Sequence, residues 1–161
     1  MKTVLISIKP EWCKLIAEGK KTIEVRKTFP KYDTPFRVLV YCTKGTALWK
    51  KGDRFLLDGE YNRLIDEIPD YLLNGEVIGE FICTGKYVVR PRALTCESEF
   101  VKRSCVPVGK LVDYVSDKEF PKDHVYGWCF QSFTLYENPK ELREYGLERP
   151  PQSWQYIEMA E

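Results

Sequence analysis

Ile8-Lys9-Pro10-Glu11-Trp12-Cys13-Lys14-Leu15-Ile16-Ala17-Glu18 runs directly into Gly19-Lys20-Lys21-Thr22-Ile23-Glu24-Val25-Arg26, and the hydrophobic period changes across the glycine. Before Gly19, residues Trp12, Leu15 and Ile16 recur at i, i+3, i+4, the spacing of one helical face, with Lys14 and Glu18 turned away from it. Pro10 suits a first helical position, where its missing N–H is not needed. Gly19 supplies the left-handed residue that closes such a helix. After it the period is two: Ile23 and Val25 face one way, and Thr22, Glu24 and Arg26 the other. The same parity puts Lys21 on the side of Ile23 and Val25, and Thr22 opposite it. A helix end, two lysines and a charged strand face thus share eight residues, which makes the junction a candidate site.

Outward from that junction, Thr3 to Ile8 reads as a first strand and residues 27–35 as a proline-marked loop. Phe36 to Cys42 is apolar on both faces and reads as a central strand. Residues 43–53, with Gly45, Gly52 and Trp49-Lys50-Lys51, read as a loop; an aromatic between lysines also suits nucleic acid. Residues 55–75 read as an acidic insertion, with Leu64, Ile65, Ile68 and Leu72 near helical spacing and Pro69 interrupting them. Gly75 to Arg90 is the longest strand signal, and Gly79 and Gly85 suggest bulges or bends within it. Thr95 or Ser98 caps a helix through Phe100, Val101 and Ser104; Pro107 breaks it, and 109–115 adds another turn or two. Val125 to Tyr136 returns to strand, Pro139 to Tyr145 reads as a short helix ended by Gly146, and Trp154 to Ile157 as a last strand. Strands with irregularly inserted helices predict one α+β domain over 1–161 with a mixed, barrel-like sheet.

The run Ser7-Ile8-Lys9-Pro10, the short helix and Gly19-Lys20-Lys21-Thr22-Ile23-Glu24-Val25-Arg26 resemble the ASCH domain family of the PUA-like superfamily. The family's pattern is a glycine, a basic residue, Lys-Thr, a hydrophobic residue, a variable position, another hydrophobic residue and Arg. The motif match is specific over residues 1–27, and Arg149-Pro150-Pro151-Gln152-Ser153-Trp154 looks like the endings of phage-type members. The resemblance implies a small β-barrel-like α+β fold with a cleft beside the first helix. It also implies RNA binding and, in one small bacterial branch, hydrolysis of N4-acetylcytidine. That branch is understood to use a lysine and a threonine of this motif with a glutamate from further along. Its lysine matches Lys21, but its threonine falls on Glu24, and no local motif chooses between Glu97 and Glu99 for the distant carboxylate.

Three functions follow as expectations. The first is a module that binds RNA or a nucleoside-like ligand in a basic cleft at the first helix and second strand. Lys9, Lys20, Lys21 and Arg26 would meet phosphates, Thr22 would line the site, and Trp154 would stack on a base. The second is a hydrolase of amidohydrolase or ribonuclease type, acting on acylated nucleosides or RNA, with Lys21 and Glu24 as an acid/base pair. A lysine serves that role only when burial or neighbouring positive charge lowers its pKa. The third is a phage or mobile-element accessory protein that contacts a host protein through its acidic stretch.

Charge placement agrees with the first of these. The net charge is only +1, yet residues 1–54 hold thirteen Lys/Arg against five Asp/Glu, and residues 55–81 hold one against seven. Gly19-Lys20-Lys21-Thr22 is no phosphate loop: the position five residues before Gly19 is Lys14, and the helix precedes the strand. Six cysteines without a C-x-x-C pair and a single His124 predict neither a metal site nor a cofactor. Cys42, Cys83 and Cys129 sit in apolar strand patterns, and no apolar run approaches membrane-spanning length. The expectation is a reduced, cytoplasmic protein with no membrane contact.

Overall fold

The computed structural model describes residues 1–61 and 71–159 of the chain. Strand β1 (Thr3–Ile8) is buried along its whole length, so it needs no alternation of polar and apolar residues. It feeds α1 (Pro10–Ala17), which ends as its sequence requires. Gly19 takes φ +78°, its N–H bonds the Ile16 carbonyl at 3.0 Å, and the Lys20 N–H bonds that of Leu15 at 2.9 Å. Next come β2 (Ile23–Arg26), β3 (Phe36–Cys42), β4 (Leu48–Lys51), β5 (Arg54–Leu57), α2 (Asp58–Tyr61), β6 (Tyr71–Leu72), β7 (Val77–Cys83) and β8 (Gly85–Val89). A 3-10 turn at Pro91–Ala93 leads to α3 (Glu99–Ser104), α4 (Val108–Val115), β9 (Val125–Cys129) and β10 (Phe133–Lys140). A second 3-10 turn at Leu142–Tyr145 precedes β11 (Trp154–Ile157).

The α+β class is as expected, with a mixed central sheet of order β10-β7-β3-β1-β11, in which β1 and β3 run parallel. Among the described residues the strands do not close into one barrel. They form this five-stranded sheet and two three-stranded ones, β2-β9-β8 and β5-β4-β6. Curvature comes from a bulge at Ile78: Gly79 faces Val40 while Val77 faces the next residue, Tyr41. Gly79 also lies under Phe133, whose ring carbon Cζ would stand 2.5 Å from an added Cβ. Gly85 begins β8, where the chain leaves the central sheet for its neighbour.

Two apolar clusters fix α1 and β2 relative to each other. The larger packs Cys13 and Ile16 of α1 with Val4, Ile6, Phe36, Val38, Phe81, Trp128 and Phe130, the last two phenyl rings stacked at 4.0 Å. The second lays α3 and α4 on the β2-β9-β8 sheet through Ile23, Phe100, Leu111, Val115 and Val125. Each such aliphatic side chain contributes about 1.5–3 kcal/mol when fully buried. The junction between α1 and β2 is therefore held from both sides.

Several sequence expectations change. The single strand over 125–136 breaks at Phe130–Ser132 into β9 and β10, and β10 runs on through Pro139, leaving only a 3-10 turn before Gly146. The loop over 43–53 contains β4, which turns over Gly52 (φ +56°) into β5. The expected insertion over 55–75 is partly sheet, because β5 and β6 both pair with β4. Its helical stretch, Leu64 to Pro69, lies outside the described residues.

Candidate functional site

Lys20, Lys21 and Thr22 leave α1 in irregular backbone and do not belong to β2, so alternation does not govern Lys21. Its side chain folds over to Glu24 and not to the side of Ile23 and Val25. The Lys21 Nζ lies 3.3 Å from Glu24 Oε1 and donates to the Ser104 carbonyl at 2.6 Å, where α3 ends. Only 1 % of the Lys21 side chain is exposed and 5 % of that of Glu24. The charged strand face thus has Glu24 buried with its lysine partner.

Arg26 completes the cluster. Its Nη2 donates to Glu24 Oε2 at 2.7 Å and to the Ser7 carbonyl at 2.6 Å, and its Nε donates to the same carboxylate oxygen at 3.2 Å. Its Nη1 reaches the carbonyl and the Oγ of Ser153, at 3.3 and 3.1 Å. Ser7 belongs to β1 and Ser153 precedes β11, so one carboxylate and two cations join β2 to the end of α3, to β1 and to β11. Planar, forked donation of this kind suits arginine and not lysine.

The electrostatics follow from burial. Desolvation pulls the Lys21 pKa below its ordinary value, and the attraction of Glu24 offsets part of that. Burial alone would push Glu24 up, but Lys21 and Arg26 outweigh it and hold the carboxyl below its usual range. Glu24 is therefore ionised at neutral pH. Under the cluster, burial pushes the Cys13 thiol well up, with Cys42 and Glu24 adding to the effect, so it behaves as a packed apolar group.

Above the cluster sits Trp12, half-buried on α1. Lys21 Nζ and Lys110 Nζ each lie 5.0 Å from its ring centre, the first buried and the second exposed. Spacing puts Trp12 on the apolar face of α1, and nothing local in the sequence joins Lys110 or the Ser104 carbonyl to it. Cys105, in the left-handed region at φ +60°, places its Sγ 3.3 Å from the Lys20 carbonyl.

The remaining predicted residues separate. Lys20 is exposed and pairs loosely with Glu18 at 3.5 Å. Lys9 is exposed at the opposite end of α1. Thr22 turns away: its Oγ1 accepts from Arg103 Nε at 3.0 Å, so α3 holds that hydroxyl apart from Lys21. Trp154 follows Ser153 and is half-buried, its ring 5.6 Å from that of core Trp128 and its Nε1 donating to Thr28 Oγ1 at 2.9 Å. The expected cleft is sealed at its floor. A groove of about 750 Å³ and a hollow of about 160 Å³ lie elsewhere, and neither is lined by Lys21, Glu24 or Arg26. Among the described residues no group of His, Cys, Asp or Glu is placed to hold a metal, and no helix is long and apolar enough to cross a membrane.

A family model for the ASCH domain matches residues 6–116, which takes in α1, the buried cluster and both helices above it. Crystal structures of ASCH from Zymomonas mobilis share the fold: one superposes with a TM-score of 0.66 at 19 % identity, covering 98 % of this chain and 88 % of that one. Two single-residue variants of the same protein superpose with the same TM-score at 18 % and 19 % identity, again over 98 % of this chain and over 91 % and 89 % of theirs. No curated protein matches the chain.

Proposed function

Because the chain belongs to the ASCH domain family, we propose that it binds RNA or a nucleoside-like ligand on the surface where α1 meets α4. The observation that carries this reading is the Trp12 ring with two lysine ammonium groups 5.0 Å from its centre. An aromatic face offers stacking to any base, and adjacent lysines offer charge to the phosphates that follow it. Exposed Lys20 and Lys110 supply that charge directly. Lys21 and Arg26 are too buried and too well paired to leave the interior for a phosphate. Their part is to fix the platform: Lys21 Nζ lies 5.0 Å from the Trp12 ring centre while Glu24 and Ser104 hold it. Titration of a labelled single-stranded RNA tests the reading. Affinity should fall with salt and should fall further in Lys110→Ala and Trp12→Leu. Binding unchanged by either substitution rejects this surface.

A second reading, hydrolysis of an acylated nucleoside or of RNA, has one specific support. Lys21 has a pKa lowered by burial, and the ionised Glu24 lies 3.3 Å away, as an acid/base pair requires. Thr22 cannot serve as its nucleophile while Arg103 holds the hydroxyl, so water would have to attack. Incubation with N4-acetylcytidine and with RNA, alongside Lys21→Ala and Glu24→Gln, decides between binding and turnover. Turnover that survives both substitutions removes this pair from the chemistry.

A further inference from the structure

The same Ser153 that Arg26 grips begins a second surface feature that the binding reading has not used. Core aromatics come to the surface there in a connected row. Trp128 is fully buried; Trp154 lies 5.6 Å from it and is half-buried; Tyr156 lies 5.1 Å from Trp154 and is 45 % exposed; Tyr32 lies 4.8 Å from Tyr156. Trp154 and Tyr156 stand two apart on β11, so they share one face, and β11 is the edge strand of the central sheet. The core needs the inner rings. It does not need Tyr156, whose hydroxyl only accepts from the Lys31 backbone N–H at 2.9 Å.

Cations accompany the row. Lys2 Nζ lies 5.4 Å from the Tyr32 ring centre, and Lys86 Nζ lies 5.3 Å from that of Phe29, which itself contacts Trp128. Lys2, Lys31 and Lys86 carry no ion pair among the described residues. At the outer end, Tyr32, Lys2 and Arg37 enter the groove of about 750 Å³. Rings at successive depths with lysines beside them match a chain of bases joined by phosphates better than a single small anion.

We propose that β11 and the 27–35 loop form a track for single-stranded RNA, with Tyr156 and Tyr32 stacking bases and Lys2 beside the phosphates as the strand leads to the groove. The proposal rests on the RNA-binding reading but uses different residues, so each can fail alone. The probe is a fluorescein-labelled oligouridylate of about ten nucleotides, the span of one such binding face. By anisotropy, Tyr156→Ala should weaken it about tenfold, the scale of one lost stack. Tyr156→Phe, which keeps the ring and loses the hydroxyl, should regain the affinity lost in Tyr156→Ala. Lys2→Glu should lower the slope of log affinity against log salt by about one. Circular dichroism on each variant separates loss of binding from loss of fold.

Weakening by Lys110→Ala with none by Tyr156→Ala or Lys2→Glu overturns the track and leaves the α1–α4 surface standing. The reverse pattern keeps the track and rejects that surface. No binding by the parent protein rejects both. Tighter binding of the DNA strand of equivalent sequence overturns the assignment to RNA.

Discussion

Two three-membered polar clusters, each built around one carboxylate, stand about the β2-β9-β8 sheet, and they differ in almost every consequence. At the α1–β2 junction Glu24 is enclosed with Lys21 and Arg26, and the side chains are 5, 1 and 16 % exposed. At the far end Asp123 meets Arg90 Nε at 2.9 Å and His124 Nδ1 at 2.5 Å, yet Arg90 is 58 % exposed and ends in water. The first cluster ties four segments of the chain together. The second ties the end of β8 to the start of β9, which are already paired through Val89 and Val125. Clusters of equal size thus have unequal weight. A charge that water can still solvate costs little to leave alone, whereas one that has been sealed in must keep its partner.

The sharpest way to break that comparison is Lys21→Ala. It leaves Glu24 with Arg26 alone, leaves the Ser104 carbonyl without its donor and opens a void under Trp12. Removing one partner of a buried pair typically costs about 3–5 kcal/mol, and urea unfolding should show a loss of that order. Lys21→Met fills the volume and should recover part of it. The sign with pH can be worked out. A lysine whose folded pKa lies below its ordinary 10.5 is bound by more protons in the unfolded chain than in the folded one across that interval. Parent stability relative to Lys21→Met should therefore rise as pH climbs toward 10.5. A flat difference would mean that Lys21 is not desolvated.

Glu24→Gln sharpens the same contrast from the other partner. At neutral pH it should cost about 2 kcal/mol, because two cations lose a charged acceptor and keep a neutral one. Glu24 is held below its usual range in the folded protein, so its contribution is complete above the ordinary carboxylate pKa. It is lost as pH falls through that value to the lower folded one. The stability gap between parent and Glu24→Gln should close on acidification, measured by unfolding at a series of pH values. A gap that persists in acid would assign the loss to packing and not to charge.

The junction was legible in sequence because its signals are local. Pro10, the i, i+3, i+4 apolar face and Gly19 fix α1 by spacing alone. Of the two caps that the sequence offers for α3 the structure uses Ser98 and not Thr95, and Pro107, which reads as a helix break, sits at the N-cap of α4. Lys21, Glu24 and Arg26 were picked out together for the same reason. What spacing could not supply was the direction of Lys21: it lies two residues before β2 begins, in irregular backbone where strand parity does not hold. Nor could it supply the groups that complete the site. Ser104 lies 83 residues from Lys21, Ser153 lies 127 from Arg26, and each meets its partner through a backbone or hydroxyl oxygen with no residue-type signature. In the hairpin over Gly52, Trp49-Lys50-Lys51 shows no apolar alternation; β4 is paired on both sides, and the hairpin is anchored by one core residue from each strand, Leu48 and Phe55.

Thr22→Val is the next smaller test and concerns the link from the junction to α3. It removes the acceptor that Arg103 Nε meets at 3.0 Å, but Arg103 Nη2 keeps the carbonyls of Thr22 and Phe130, each at 3.4 Å. A loss of about 1 kcal/mol is expected, since a partly exposed guanidinium can rebind water. If the loss instead approached that of Lys21→Ala, Arg103 would belong to the sealed cluster and the boundary drawn around it would be too small.

The smallest effect belongs to Arg90→Ala. Burial would raise the Asp123 carboxyl, but hydrogen bonds from Arg90 and His124 hold it below its usual range, so it stays ionised in the parent protein. With Arg90 gone, His124 Nδ1 still faces that carboxylate and water reaches the space that the exposed guanidinium leaves. The β8–β9 pairing beside it is unchanged. Unfolding at neutral pH should therefore shift far less than in Lys21→Ala, and RNA affinity should not move with it. Raising the salt concentration should shrink the remaining shift, as it does for ion pairs in contact with solvent. A large, salt-independent loss in Arg90→Ala would show that depth is not what separates the two clusters, and the weight given to the buried Lys21–Glu24 pair would then have to rest on its geometry alone.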